Sequence, residues 1–284
     1  DVLDFCRAYG VTFSTSLDGP RDLHDAHRIF RGGASHEITV TNIARIQATL
    51  GEHAVSALMT TTRNSLSRPK DIVEEYVRRN LHSIFLRNAR PYGLAVESGL
   101  AGAYSVSEWV SFYQEALAEI LAINRAGYSL REEYTSILLQ KIFVPCGSRF
   151  VDLQSPAGLG IAAVAFNYDG AVYASDEGRM LAEMGDASFR LGELERDSFD
   201  TMMTSDRLLE VLTNTMLEGN PQCSDCAFLP YCGADPVFHH ATQGDLVGHK
   251  ARSEFCEKQT GVIRHLIALL EDDAEARRIL LTWI

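Results

Sequence analysis

The chain has 284 residues, 46% of them apolar and 23% charged, a balance that describes a protein with a core and excludes a disordered or fibrous one. Acidic residues outnumber basic ones, 38 to 26, for a formal charge of −12, which disfavours sequence-independent binding to nucleic acid. No apolar run approaches the ~18 residues that signal a membrane-spanning helix.

Strands and helices alternate through the first half. Val11 to Ser16 reads as a strand, closed by the turn residues Asp18, Gly19 and Pro20. A loop rich in Arg, Asp and His follows. Val40, Ile43, Ile46 and Leu50 then recur at helical spacing, predicting a helix over 37–50. Val55 to Thr60 is a strand, Pro69 opens a second helix, and Ser83 to Leu86 is a third strand. Ser105 and Glu108 stand at capping-box spacing before a long helix that carries Trp109, Tyr113, Leu117 and Ile120 on one face. This alternation is that of a parallel α/β sheet or barrel. A linking helix is expected over 131–142. A hairpin follows around Asn167-Tyr168-Asp169-Gly170, then a short helix from Leu208 to Met216 and a last helix from Glu257 to Leu270. That helix ends in Glu271-Asp272-Asp273, an unusual charge for a helix C-terminus. The division between halves is placed at residues 1–140 and 141–284. The chain starts at Asp1 without a methionine or a signal-peptide pattern, which reads as a cut or processed end of a longer protein.

Four of the six cysteines gather near the C-terminus as Cys223-x2-Cys226-x5-Cys232, with Cys256 further on. A Cys-x2-Cys loop turns two sulfurs to one side, and four thiolates suit either tetrahedral zinc or a [4Fe–4S] cluster. Buried free thiols or two disulfides are the plainer alternative. Cys6 and Cys146 are isolated and read as small buried hydrophobes. His239 and His240 read as packing or solvent-facing residues, because four thiolates already complete a site.

Two stretches together resemble the radical S-adenosylmethionine (radical SAM) peptide maturases. Ser16-Leu17-Asp18-Gly19-Pro20, with His24 and Arg28 after it, is similar to their fourth-strand motif. The cysteine segment is similar to their SPASM domain, which holds auxiliary iron–sulfur clusters. Three further stretches resemble the B-type radical SAM maturase of the His-Xaa-Ser system. They are Val151 to Gly158, Tyr173 to Gly185 and Phe228 to Pro236. The resemblance implies the C-terminal part of a partial (β/α)6 barrel followed by a small α+β SPASM-type domain. It also implies an enzyme that modifies a ribosomally made precursor peptide after hydrogen abstraction by a 5′-deoxyadenosyl radical. Two departures bear on the cofactors. Pro236 and Ser175 stand where two-cluster relatives have cysteines of a first auxiliary cluster. One auxiliary [4Fe–4S] cluster is therefore implied, on Cys223, Cys226, Cys232 and Cys256, with a structural or electron-transfer role. The Cys-x3-Cys-x2-Cys loop that holds the SAM-cleaving [4Fe–4S] cluster does not occur in these residues. S-adenosylmethionine and that cluster are expected of the full-length enzyme, and this portion alone is expected to be inactive.

By the same resemblance, Ser16 and Arg28 match positions that contact the carboxylate of SAM, and an Arg fork suits a carboxylate. Arg63 and Asn64, at the C-terminal end of the second strand, are cofactor-side candidates, since active-site groups collect at such ends. Asp176 matches a candidate catalytic base; its plainer role is an ion pair with Arg179. Asp18 reads as a turn organiser outside the catalytic set. The partners implied are a precursor peptide, a paired radical SAM maturase and an electron donor such as flavodoxin or ferredoxin, with neither nucleic acid nor membrane, in the cytoplasm. The competing reading is a non-catalytic, metal-stabilised module (iron–sulfur or zinc) that binds a peptide or partner.

Overall fold

The computed structural model describes residues 2–145, 148 and 150–284, so the reading of Cys146 lies outside the described residues. The chain divides into two compact units. The first comprises Asp1–Ala89, Ala103–Ser136 and His265–Ile284; the second comprises Arg90–Gly102 and Ile137–Arg264.

Among the described residues of the first unit, four parallel strands stand side by side in chain order. They are β1 (Phe13–Ser16), β2 (Val55–Thr60), β3 (Ser83–Arg87) and β4 (Arg131–Glu132). Burial alternates along β2 and β3, with Val55, Ala57, Met59, Ile84 and Leu86 buried. The connecting helices supply the other side of the core. Pro69–Arg78 buries Ile72, Val73 and Tyr76. Val106–Arg125 buries Trp109, Phe112, Tyr113, Leu117 and Ile120, and packs against Pro69–Arg78. The capping box before that helix forms as the sequence predicts, with the Ser105 hydroxyl accepting from the Glu108 N–H and the Glu108 carboxylate accepting from the Ser105 N–H.

Four expectations change. The loop after Pro20 holds a helix, Arg21–His27, and an N-terminal helix, Val2–Tyr9, buries Leu3 and Cys6. The linking helix starts at Glu133 and runs to Phe143, because Arg131 and Glu132 pair with Ser83 and Ile84 as β4. A carboxylate fixes that strand: the fully buried Glu132 accepts from the Leu86 N–H at 3.1 Å, from the Thr135 N–H at 2.6 Å and from the Tyr113 hydroxyl. The last helix runs over Glu254–Asp272 and is followed by another, Ala274–Leu280. Asp273 is the N-cap of this second helix, accepting from the Glu275 and Ala276 N–H groups, so the acidic run closes one helix and opens the next.

Among the described residues of the second unit, β5 (Ala165–Phe166), β6 (Ala171–Tyr173) and β7 (Arg190–Glu193) form an antiparallel sheet. The expected hairpin is present with shorter strands, its turn closed by Asn167 and Gly170. β7 escaped the sequence reading, since Arg-Leu-Gly-Glu has only one apolar residue to bury. Val172, Ala174, Leu181, Phe189, Leu208, Val211 and Val237 form this unit's core.

Glu132→Ala leaves the Tyr113 hydroxyl and two backbone N–H groups without their acceptor inside the core. The expected cost, read as a lowered urea midpoint, is on the order of 3 kcal/mol, with Glu132→Gln losing less.

Candidate functional site

A run of tight turns carries the cysteines of the second unit. Pro221 occupies the first position of the short helix Pro221–Ser224, where its missing N–H costs nothing. The Cys226 N–H donates to the Cys223 carbonyl at 2.9 Å, the Leu229 N–H to the Cys226 carbonyl at 3.1 Å, and the Cys232 N–H to the Leu229 carbonyl at 3.3 Å. Cys256 sits in the first turn of Glu254–Asp272, its N–H capped by the Ser253 hydroxyl at 3.1 Å. That hydroxyl is held in turn by His239 Nε2 at 2.7 Å, and His239 is buried, a packing residue. His240 pairs with Asp186 at 2.7 Å.

All four thiols are free of disulfides and partly exposed. Burial pushes Cys232 up to about 11, with Cys256, Cys223 and Cys226 adding to the shift. Burial also raises Cys256, helped by Cys223 and Cys226. A set of four soft sulfur donors fits zinc or an iron–sulfur cluster. Among the described residues, no three His, Cys, Asp or Glu groups close around a single metal ion.

Behind Cys232 lies a platform that sequence reasoning missed. Arg90 is mostly buried between two carboxylates: Nη1 donates to Asp235 at 2.7 Å and Nη2 to Asp152. Asp235 also caps the helix Pro236–Gln243 through the Phe238 N–H at 2.9 Å. Gly233 lies flat on the same platform. A Cβ there would stand 2.4 Å from the Asp152 carbonyl oxygen and from Leu153 Cα, so only glycine permits the approach. The Ala234 N–H then bonds to the Gln154 carbonyl at 3.1 Å. The Asp235-Pro236 pair carries a visible signal for a helix start; nothing near Arg90 in sequence announces its two distant partners.

Asp176 begins the helix Asp176–Glu183, its carboxylate 68% exposed and paired with Arg179 at 3.0 Å. Ser175, just before it, is buried and caps the helix by accepting from the Gly178 N–H at 3.1 Å.

In the first unit, Ser16 ends β1, partly buried, in register with Leu58 of β2. The stretch after it is fixed by four bonds. The Leu17 carbonyl accepts from the Tyr76 hydroxyl at 2.8 Å, and the Leu17 N–H donates to the Leu58 carbonyl at 2.9 Å. The Asp18 N–H donates to His24 Nδ1 at 3.2 Å, and the Asp18 carboxylate accepts from the Thr60 N–H at 2.9 Å. Arg28 meets that carboxylate through Nε at 2.6 Å and Nη2 at 3.2 Å. Asp18 therefore does more than shape a turn: it ties the ends of β1 and β2 to Arg28. Arg63 lies in a 3-10 turn opened by Thr62, and its Nη1 donates to the Ala103 carbonyl at 3.0 Å and to Glu108 at 3.3 Å. Asn64 is exposed. Ser16, Arg28 and Arg63 thus belong to the first unit, and the four cysteines and Asp176 to the second.

No family model matches the chain. It is 25% identical over 236 residues to the uncharacterized protein sll1766 of Synechocystis sp. (strain ATCC 27184 / PCC 6803 / Kazusa), covering 81% of this chain and 56% of that protein. The chain thus spans little more than half the length of this curated relative. Among solved structures it is similar to native anSMEcpe with bound AdoMet, with a TM-score of 0.70 at 13% identity over 99% of this chain and 71% of that one. It is also similar to native anSMEcpe with bound AdoMet and Kp18Cys peptide, with a TM-score of 0.71 at 13% identity and the same coverage. No helix among the described residues is long and apolar enough to cross a membrane.

Asp235 supplies a pH test of the platform. Burial and the neighbouring Asp152 push it up to about 6, against the pull of Arg90. A carboxyl whose folded value lies above its unfolded one, about 3.9, holds a proton that the unfolded chain releases. Its contribution to stability is complete below that lower value and is lost as pH rises toward 6. His239, held down to about 4 chiefly by burial, gives the opposite slope, common to wild type and variant. Urea midpoints measured from pH 4 to 7 are expected to fall more steeply with rising pH in wild type than in Asp235→Asn; parallel curves contradict the assignment. Taken together, the parallel sheet, its flanking helices and the likeness across 99% of the chain give this protein the fold of anSMEcpe.

Proposed function

We propose that the chain is the C-terminal portion of a radical SAM maturase that modifies a ribosomally synthesised precursor peptide of the His-Xaa-Ser type. On this reading residues 1–140 are the end of a partial barrel and residues 141–284 a SPASM-like domain with a C-terminal helix. The observation that carries the proposal is a quartet of disulfide-free cysteines, three on one run of tight turns and the fourth at the start of Glu254–Asp272, in a fold similar to a protein solved with AdoMet and peptide.

Cys223, Cys226, Cys232 and Cys256 would hold one auxiliary [4Fe–4S] cluster, structural or electron-transferring. Four thiolate ligands leave its irons no open position for substrate. The SAM-cleaving cluster, when present in the parent protein, supplies the 5′-deoxyadenosyl radical that abstracts hydrogen. Arg28 would meet the carboxylate of SAM through Nη1, because Nε and Nη2 hold Asp18, with the Ser16 hydroxyl as a second donor. Arg63 is a weaker cofactor-side residue, its Nη1 being engaged by Ala103 and Glu108. Asp176 would accept a proton from the peptide once it leaves Arg179, an exposed pair of small energetic weight. A flavodoxin or ferredoxin would supply electrons, a paired maturase is a further partner, and the reducing cytoplasm suits four free thiols.

The test of function is turnover. The parent protein, reduced anaerobically with dithionite and given SAM and a His-Xaa-Ser peptide, is expected to yield 5′-deoxyadenosine and a peptide of changed mass. SAM left intact under those conditions contradicts the proposal. Within this chain, Cys226→Ala is expected to lose its iron and to weaken hydrogen-exchange protection beyond about residue 208, because metal binding and folding are coupled. Native-like protection without metal contradicts the site.

A further inference from the structure

The first unit carries an open cleft of about 560 Å3 to which none of Ser16, Arg28 and Arg63 contributes. It is lined by the start of Arg21–His27, by His36 in the first turn of Ser35–Leu50, and by the end of Pro69–Arg78 with Arg79 just after it. Glu75, in that lining, is buried although charged. Its Oε1 accepts from His36 Nε2 at 2.9 Å and from Arg79 Nε at 2.7 Å, and its Oε2 meets Arg78 Nη1 at 3.2 Å. Asp25 accepts from the His36 N–H at 2.7 Å and from Arg21 Nε at 3.3 Å, and Asp22 is held by Arg68. Each carboxylate of the cleft is thus committed to a donor of the protein itself. The arginines are not. Arg21 and Arg79 use only Nε, and Arg78 uses Nε and Nη1. Among the described residues this leaves Arg21 Nη1 and Nη2, Arg79 Nη1 and Nη2, and Arg78 Nη2 without a protein partner. A guanidinium clamped on a buried carboxylate presents its remaining N–H groups at little further cost in rotamer freedom.

We propose that this cleft binds a phosphate group, free or as the monoester of a small organic molecule. What the cleft offers a visitor is N–H donors, and arginine nitrogens match oxyanions in charge and geometry. The donors stand on two separate helices, Arg21 on one and Arg78 with Arg79 at the end of the other. A tetrahedral anion accepts in several directions and can serve both, whereas one fork satisfies a planar carboxylate. The volume exceeds that of a bare phosphate and lies in the range of small-molecule sites, so an ester has room. The site is independent of the readings of the cysteines and of Ser16 and Arg28. A ligand held there ties the start of Arg21–His27 to the end of Pro69–Arg78, so that binding registers as added stability.

The experiment follows the thermal midpoint of the chain against added orthophosphate, glycerol 3-phosphate or acetate at constant ionic strength. The midpoint of the wild type is expected to rise saturably with the phosphate ligands and not with acetate. Tighter binding of glycerol 3-phosphate identifies the ester as the ligand, and equal or tighter binding of orthophosphate identifies the free ion; both support the site. Arg21→Gln removes an exposed arginine whose pair with Asp25 carries little folding energy, and is expected to weaken binding roughly tenfold. Arg79→Lys keeps a cation beside Glu75 but loses the fork, and is expected to weaken binding as well. Lys70→Gln, on the same helix but outside the cleft, is expected to bind as the wild type does. The absence of a saturable rise with either phosphate ligand overturns the proposal, as does an equal rise with acetate. Binding undiminished in both Arg21→Gln and Arg79→Lys, or weakened equally in Lys70→Gln, overturns it too.

Discussion

Arg90 between Asp152 and Asp235 is the constraint on which the cysteine region depends. It joins three segments far apart in sequence: the one after β3, the turn at Val151–Leu153 and the start of Pro236–Gln243. The same turn is the surface on which Gly233 lies, so the position of Cys232 is inherited from this ion triad. Burial first, and then the neighbouring Asp152, make Asp235 retain its proton more tightly than an exposed aspartate, because one guanidinium does not neutralise two buried carboxylates. Such a triad adds little net stability compared with apolar packing, but removal of one partner strands the others, a loss of about 3–5 kcal/mol. Its value here is positional.

The first unit solves a related problem with a different carboxylate. Asp18 binds a backbone N–H at the end of β2 and the side chain of Arg28, and so turns the ends of two neighbouring strands into one rigid edge. Ser16 stands just before that edge. The fork of Arg28 on Asp18 leaves that side chain few rotamers. In both units a buried carboxylate holds an arginine.

Much of this was legible in the sequence. β2, the capping box at Ser105, the Pro69 helix start and the hairpin turn depend on local chemistry, and local chemistry is what a sequence displays. The errors fall where tertiary partners decide. Arg131 and Glu132 have no strand propensity worth noting; β4 exists because Glu132 finds Leu86, Thr135 and Tyr113. Asp273 looked misplaced until a second helix began at it. The cysteines announced themselves by spacing, whereas Arg90 takes its meaning from residues up to 145 positions away.

The central proposal is that Cys223, Cys226, Cys232 and Cys256 form one iron–sulfur site in a fold similar to that of anSMEcpe. Anaerobic purification of the chain followed by iron, acid-labile sulfide and zinc analysis tests it most directly. The account predicts a brown protein with about four irons and four sulfides per chain, lost when any of Cys223, Cys226, Cys232 or Cys256 is replaced. A colourless protein carrying one zinc per chain contradicts it.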